Sequence, residues 1–216
     1  NTMLVNGETS YTLSAKKGEV IRFYITNSAN VRSFNFAIQD AKLKLVGADG
    51  GAYEKDQWKE SVIISPSERA IIEVLFDKAG SFVIQNKTPN KTYTLGTITV
   101  SNDLIEVSYA SQFDQLSTHS QVIESINALS QYFDKTPDKQ IKLSMQMGSE
   151  MMTSMGTHMM PDGTMMGGMG MNVPAEGIEW EDDMQMMNQM SNTDSIKWKI
   201  VDQDTGKENM DIDWTF

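Results

Sequence analysis

The feature that most limits what this chain can become is a series of short β-branched and aromatic runs over residues 1 to 100, each closed by a turn signal. Runs at 19–25, 33–38, 42–47, 59–64, 69–76, 81–85 and 96–100 have strand length and strand composition. Between them stand Lys17-Gly18, Asp49-Gly50-Gly51, Ser65-Pro66, Ala79-Gly80 and Pro89-Asn90, which supply either a positive φ or the preset φ of proline. Many short strands with turns at this spacing close into a sandwich or a barrel, so the expected fold is mainly β.

Beyond residue 100 the period changes. Val122, Ile126, Leu129 and Phe133 recur every three or four residues, which predicts a helix over 117–133 with one apolar stripe facing the core. Thr118 and Gln121 have the spacing of a capping box, and Thr136-Pro137 follows the helix end. Strict alternation returns at 140–147, where Ile141, Leu143, Met145 and Met147 share one side. It is expected again at 196–201, with Ile196, Trp198 and Ile200 inward, and at 210–216. The stretch 148–177 has no usable period and is too long for an ordinary connection, which marks it as functional or disordered. A sheet opened at Gln140 with only these strands has open edges and an unfinished core, so the reading is of a chain cut short at Phe216, with self-association through unpaired strands as one consequence.

Composition removes several function classes. The formal charge of −11, from 29 acidic and 18 basic residues, repels phosphate backbones and excludes nucleic acid as a partner. No run approaches the roughly 20 apolar residues of a membrane span. The start, Asn1-Thr2-Met3-Leu4-Val5, is not a signal peptide, so any export signal is expected upstream of this segment. There is no cysteine, hence no disulfide, no thiolate nucleophile and no metal site built on sulfur anions. Phosphate loops, nucleophile elbows and zinc spacings are missing too. The triplets Asn86-Lys87-Thr88 and Asn90-Lys91-Thr92 fit the glycosylation pattern and carry no further argument.

Val5-Asn6-Gly7 and the run from Gly18-Glu19-Val20-Ile21-Arg22-Phe23 to Ala29 resemble the opening of the middle domain of multicopper oxidases of laccase and cuprous-oxidase type. Asp49-Gly50-Gly51 stands where that family has its Asp-Gly-Gly turn. Ser65-Pro66-Ser67-Glu68-Arg69-Ala70 resembles its Pro-Gly-Glu-Arg strand opener, with Ser67 in place of the usual glycine. Ile178-Glu179-Trp180-Glu181-Asp182, Trp198-Lys199-Ile200-Val201-Asp202 and Thr205-Gly206-Lys207-Glu208-Asn209-Met210 look like the start of the family's third domain. The resemblance implies a Greek-key cupredoxin-like β-sandwich with one connecting helix and an incomplete second β unit. The implied layout is a plastocyanin-like second domain at 1–102, a helical linker at 103–139, and the start of a third domain at 140–216 that includes the Met-rich loop 148–177.

The same resemblance implies copper in the parent protein, flanking copper-bearing cupredoxin domains as partners, and an extracytoplasmic location. A blue copper needs a cysteine thiolate with two imidazoles, and the chain has no cysteine and only His119 and His158. The family's trinuclear cluster is held by paired His-x-His motifs of the first and third domains, so a middle domain without ligands agrees with its arrangement. No tightly bound catalytic copper is therefore expected here. His119, near the helix start, carries no functional claim.

Methionine is the remaining signal. Eleven of the 17 fall between Met145 and Met171, interleaved with Gly148, Gly156, Gly163, Gly167, Gly168 and Gly170. Thioethers are soft neutral donors, and several on a flexible chain favour Cu(I) or Ag(I) over hard cations. The candidate donors are Met151, Met152, Met155, His158, Met159, Met160, Met165, Met166, Met169 and Met171. The competing reading is a loop that uses methionine as adaptable apolar filler. A second group, Met184, Met186, Met187 and Met190, has helical spacing that suits core packing, while resemblance to cuprous-oxidase sites places Asp182 or Asp183 with Met184 on substrate copper. Three functions follow: a piece of a multicopper oxidase inactive by itself, a stand-alone extracytoplasmic Cu(I)-binding module, or a copper-less structural relative of the family.

Overall fold

The computed structural model describes residues 2–30, 32–147, 158–159, 165–166, 178, 180 and 196–215. The chain divides into two compact units, one of residues 1–129 with 178–182 and the other of residues 130–177 and 183–216.

The first unit is a β-sandwich. Its strands are β1 (Tyr11–Lys17), β2 (Glu19–Thr26), β3 (Phe34–Ile38), β4 (Leu43–Ala48), β5 (Gly51–Lys59), β6 (Val62–Ile64), β7 (Arg69–Phe76), β8 (Gly80–Lys87) and β9 (Thr92–Leu104). One sheet has the order β1-β9-β8-β3-β6 and the other β2-β7-β4-β5. Only β4–β5 and β8–β9 are hairpins, and every other connection passes from one sheet to the other, which gives the expected Greek-key crossing. Alternation explains the layering: in β7, Ala70, Ile72, Val74 and Phe76 point inward and are buried, while Glu73 and its alternates face out. They meet Ile38, Ile64, Ile84, Ile98 and Val100 from the opposite sheet in one apolar cluster.

β1 and β9 pair in parallel, from Tyr11 opposite Gly96 to Ala15 opposite Val100. Gly96 is required by that close approach, because a Cβ there would sit 2.5 Å from the Tyr11 carbonyl oxygen. The strand expected at 59–64 is two strands in different sheets. Lys59 ends β5, and Val62–Ile64 pairs with β3 after the polar Glu60-Ser61 bend. β1 and β5 were not expected as strands, since β5 carries four charged residues and only one face of it is covered.

After β9 the chain forms the short helix α1 (Ala110–Phe113) and then α2 (Ser120–Leu129), which packs on β5 and is followed by one 3-10 turn at Ser130–Tyr132. The helix starts at Ser120 and not at the expected box: the His119 carbonyl accepts from the N–H groups of Val122 and Ile123, and Thr118 bridges to Lys55 instead. The apolar stripe is only partly covered. Val122 and Ile126 are half-buried, whereas Leu129 and Phe133 are exposed.

In the second unit, β10 (Ile141–Met147) pairs antiparallel with β13 (Ile196–Asp202), in the register Leu143 to Ile200 and Met145 to Trp198. Trp198 and Ile200 were expected inward, yet Trp198 is 64% exposed and Ile200 37%, and Leu143, opposite Ile200, is 65% exposed. The strand expected at 210–216 is replaced by a 3-10 turn at Asn209–Asp211, because Asn209 takes a left-handed φ of 52° and spends its side chain on the N–H of Ile200. The Asp202 carboxylate accepts the N–H groups of Asp204 and Thr205 and closes the turn after β13. Burial alone would raise its pKa, but these donors and the charge of Lys139 outweigh that and hold it below the ordinary range.

Candidate functional site

The described candidates for copper, His158, Met159, Met165 and Met166, lie in the second unit. Two short strands, β11 (His158–Met159) and β12 (Met165–Met166), pair antiparallel, with His158 opposite Met166 and Met159 opposite Met165. Met151, Met152, Met155, Met160, Met169, Met171, Asp182, Asp183 and Met184 lie outside the described residues.

The strands of the first unit contain neither histidine nor cysteine, and a depression of about 780 Å³ beside β1 and the end of β9 is lined by groups such as Glu19, Asp103 and Tyr109. Among the described residues, no group of three histidine, cysteine, aspartate or glutamate side chains could hold a metal ion. The donor set itself does not fit the family's catalytic coppers, because a blue site needs a thiolate and a trinuclear site needs many imidazoles.

What sequence reading missed is a polar row on the outer face of the β2-β7-β4-β5 sheet. Arg22 stands opposite Glu73, Glu73 opposite Lys44, and Lys44 opposite Trp58, so the register lines up one residue from each strand. The Arg22 guanidinium is bonded to Glu73, whose other oxygen is 3.1 Å from the Lys44 ammonium. Lys44 also donates to the carbonyls of Gln112, at 3.1 Å, and Phe113, and lies 3.9 Å from Asp56. Asp56 accepts the Ser117 N–H at 3.0 Å and faces His119 Nε2 at 3.0 Å. Lys44 and Asp56 are both buried, an arrangement tolerated because each charge has several partners. Desolvation pushes the Glu73 pKa up, but its bonds to Arg22 and Lys44 prevail and hold it below the ordinary range. The only signal in the sequence is a lysine flanked by Leu43 and Leu45 in a central strand, and nothing local shows that its outward face will be covered. The His119 imidazole is held by the Asp56 carboxylate, a contact that ties the start of α2 to β5.

Residues 1–103 match the family model described as multicopper oxidase. Among solved structures, the chain is similar to a laccase-like multicopper oxidase, CueO, from Ochrobactrum sp., at 26% identity and a TM-score of 0.45, over 50% of this chain and 25% of that one. It is similar to a multicopper oxidase of Campylobacter jejuni described as a metallo-oxidase, at 24% identity and a TM-score of 0.45, over 72% and 31%. A variant of the McoA multicopper oxidase of Aquifex aeolicus gives 21% identity and a TM-score of 0.46, over 50% and 27%. This chain thus spans about a quarter to a third of the length of these structures. No curated protein matches. The β-sandwich of residues 1–103 is a cupredoxin-like domain that belongs to the multicopper oxidase family.

Proposed function

We propose that this chain is the ligand-free middle domain of a three-domain multicopper oxidase, together with the start of its third domain and the Met-rich segment that presents Cu(I) to the parent enzyme. The observation that carries the reading is a family domain whose whole length, residues 1–103, contains no imidazole and no thiol. Such a domain holds no catalytic copper and serves to space the flanking copper-bearing domains. The domain layout at 1–102, 103–139 and 140–216 and the extracytoplasmic location belong to this reading. Eleven methionines between Met145 and Met171 support cuprous ion as the cargo, since thioethers are soft donors. Asp182, Asp183 and Met184 are assigned to the same substrate path.

The chain alone is expected to consume no dioxygen with a phenol or with Cu(I) above the rate of free copper, and a higher rate would reject the spacer role. Deletion of 148–171 is expected to weaken Cu(I) binding at least about tenfold in a competition titration, the scale of losing one or more soft ligands. Unchanged binding would reject the cargo role.

A further inference from the structure

We propose that residues 110–119 form a latch on the edge of the sandwich, one that opens as a unit while the two sheets stay folded, and so holds or frees the chain that continues through α2. The latch docks by three kinds of contact. Its backbone adds to the outer edge of β5: the Asp56 N–H donates to the Ser117 carbonyl at 3.0 Å, the His119 N–H donates to the Glu54 carbonyl at 2.9 Å, and Thr118 bridges to Lys55. Side chains of the sheet reach into it, with Asp56 accepting the Ser117 N–H and His119 Nε2, and Lys44 donating to the Gln112 and Phe113 carbonyls. Phe113 seals the contact, edge-on to Trp58 at 5.1 Å between ring centres.

Apolar burial is thin. Phe113 is the one buried side chain of α1, and α2 has none. A segment held by polar contacts and little buried apolar area belongs to the low end of local stability, below strands such as β8 and β9 whose alternate residues fill the core. The polar contacts also break together. Lifting Ser117 and His119 removes two donors from Asp56, and lifting α1 removes two acceptors from Lys44. Neither charge is stranded by the opening, because water enters and Lys44 keeps Glu73 on its far side. The alternating row of Arg22, Glu73, Lys44 and Asp56 therefore stays paired whether the latch is shut or open, which confines the transition to the strap.

Native-state amide hydrogen exchange on the full chain tests this. The amides of Ser117 and His119, whose acceptors lie on β5, are expected to exchange as one group, at least about tenfold faster than Ile84 and Ile98. Asp56→Asn is expected to speed the first group by a further factor of about ten and leave the second unchanged. Should that variant not fold, His119→Ala removes a side chain that is one-third exposed, and acceleration limited to the strap gives the same answer. Exchange of strap and sandwich at one rate, or equal acceleration of both groups by either variant, would overturn the latch.

Discussion

Single residues decide how tightly the sandwich is specified. Ser67 sits at φ 69°, in the left-handed region that glycine tolerates and a side chain resists, at the very place where the resembling family keeps a glycine. Its N–H is bonded to the Asn27 carbonyl, and the neighbouring Glu68 carbonyl accepts the Asn27 N–H, so the turn cannot relax away from that conformation. Ser67→Gly is expected to stabilise the domain by up to about 1 kcal/mol, the strain relieved less the added freedom of the unfolded chain. A urea midpoint that falls would contradict this. Glu73 sets the acid response. Its folded pKa is depressed, so its contribution is complete above the ordinary value of 4.5 and is lost as pH falls through the folded value. Glu73→Gln is therefore expected to destabilise the domain near neutrality and to flatten the loss of stability below pH 4.5, measured as urea midpoint against pH.

At the level of elements, the pairing of β1 with β9 depends on the missing Cβ of Gly96. Gly96→Ala is expected to cost about 1–3 kcal/mol, since backbone must shift to admit the methyl group. Thermal unfolding of the variant checks it. Legibility in the sequence followed burial. β7 reads plainly as Arg69–Phe76 because every second residue is apolar and buried, and β10 reads plainly because its alternation is strict. β1 and β5 were hidden because they lie at sheet edges, where Lys16, Lys17, Glu54, Lys55 and Asp56 are compatible with a strand but do not announce one. The apolar residues of β10 and β13 were legible as a face, but a face does not say what covers it. The polar row was illegible for another reason: it is written across four strands that are distant in sequence and adjacent only by register.

For the whole molecule, the core and the described candidates for copper belong to different stretches of the chain. The apolar cluster lies wholly within the sandwich, while the described copper-donor candidates lie beyond residue 129. Residues 1–129 are accordingly expected to fold alone, with a single cooperative urea transition. Loss of β-sheet circular dichroism on cutting after 129 would show that the core needs the rest of the chain. The methionine cluster was legible by composition, whereas the backbone pairing of His158 with Met166 is a matter of register that no local pattern specifies.

The parallel pairing of β1 and β9 has a mechanical consequence. These are the strands through which the chain enters and leaves the sandwich, and they run side by side in the same direction. A pull applied to the chain before Tyr11 and after Leu104 therefore acts at opposite ends of the ladder, and loads its bonds in shear, all at once. The antiparallel pair of β10 and β13 opens from an end, one bond after another. Tension along the polypeptide would peel that second pair open long before it sheared the first.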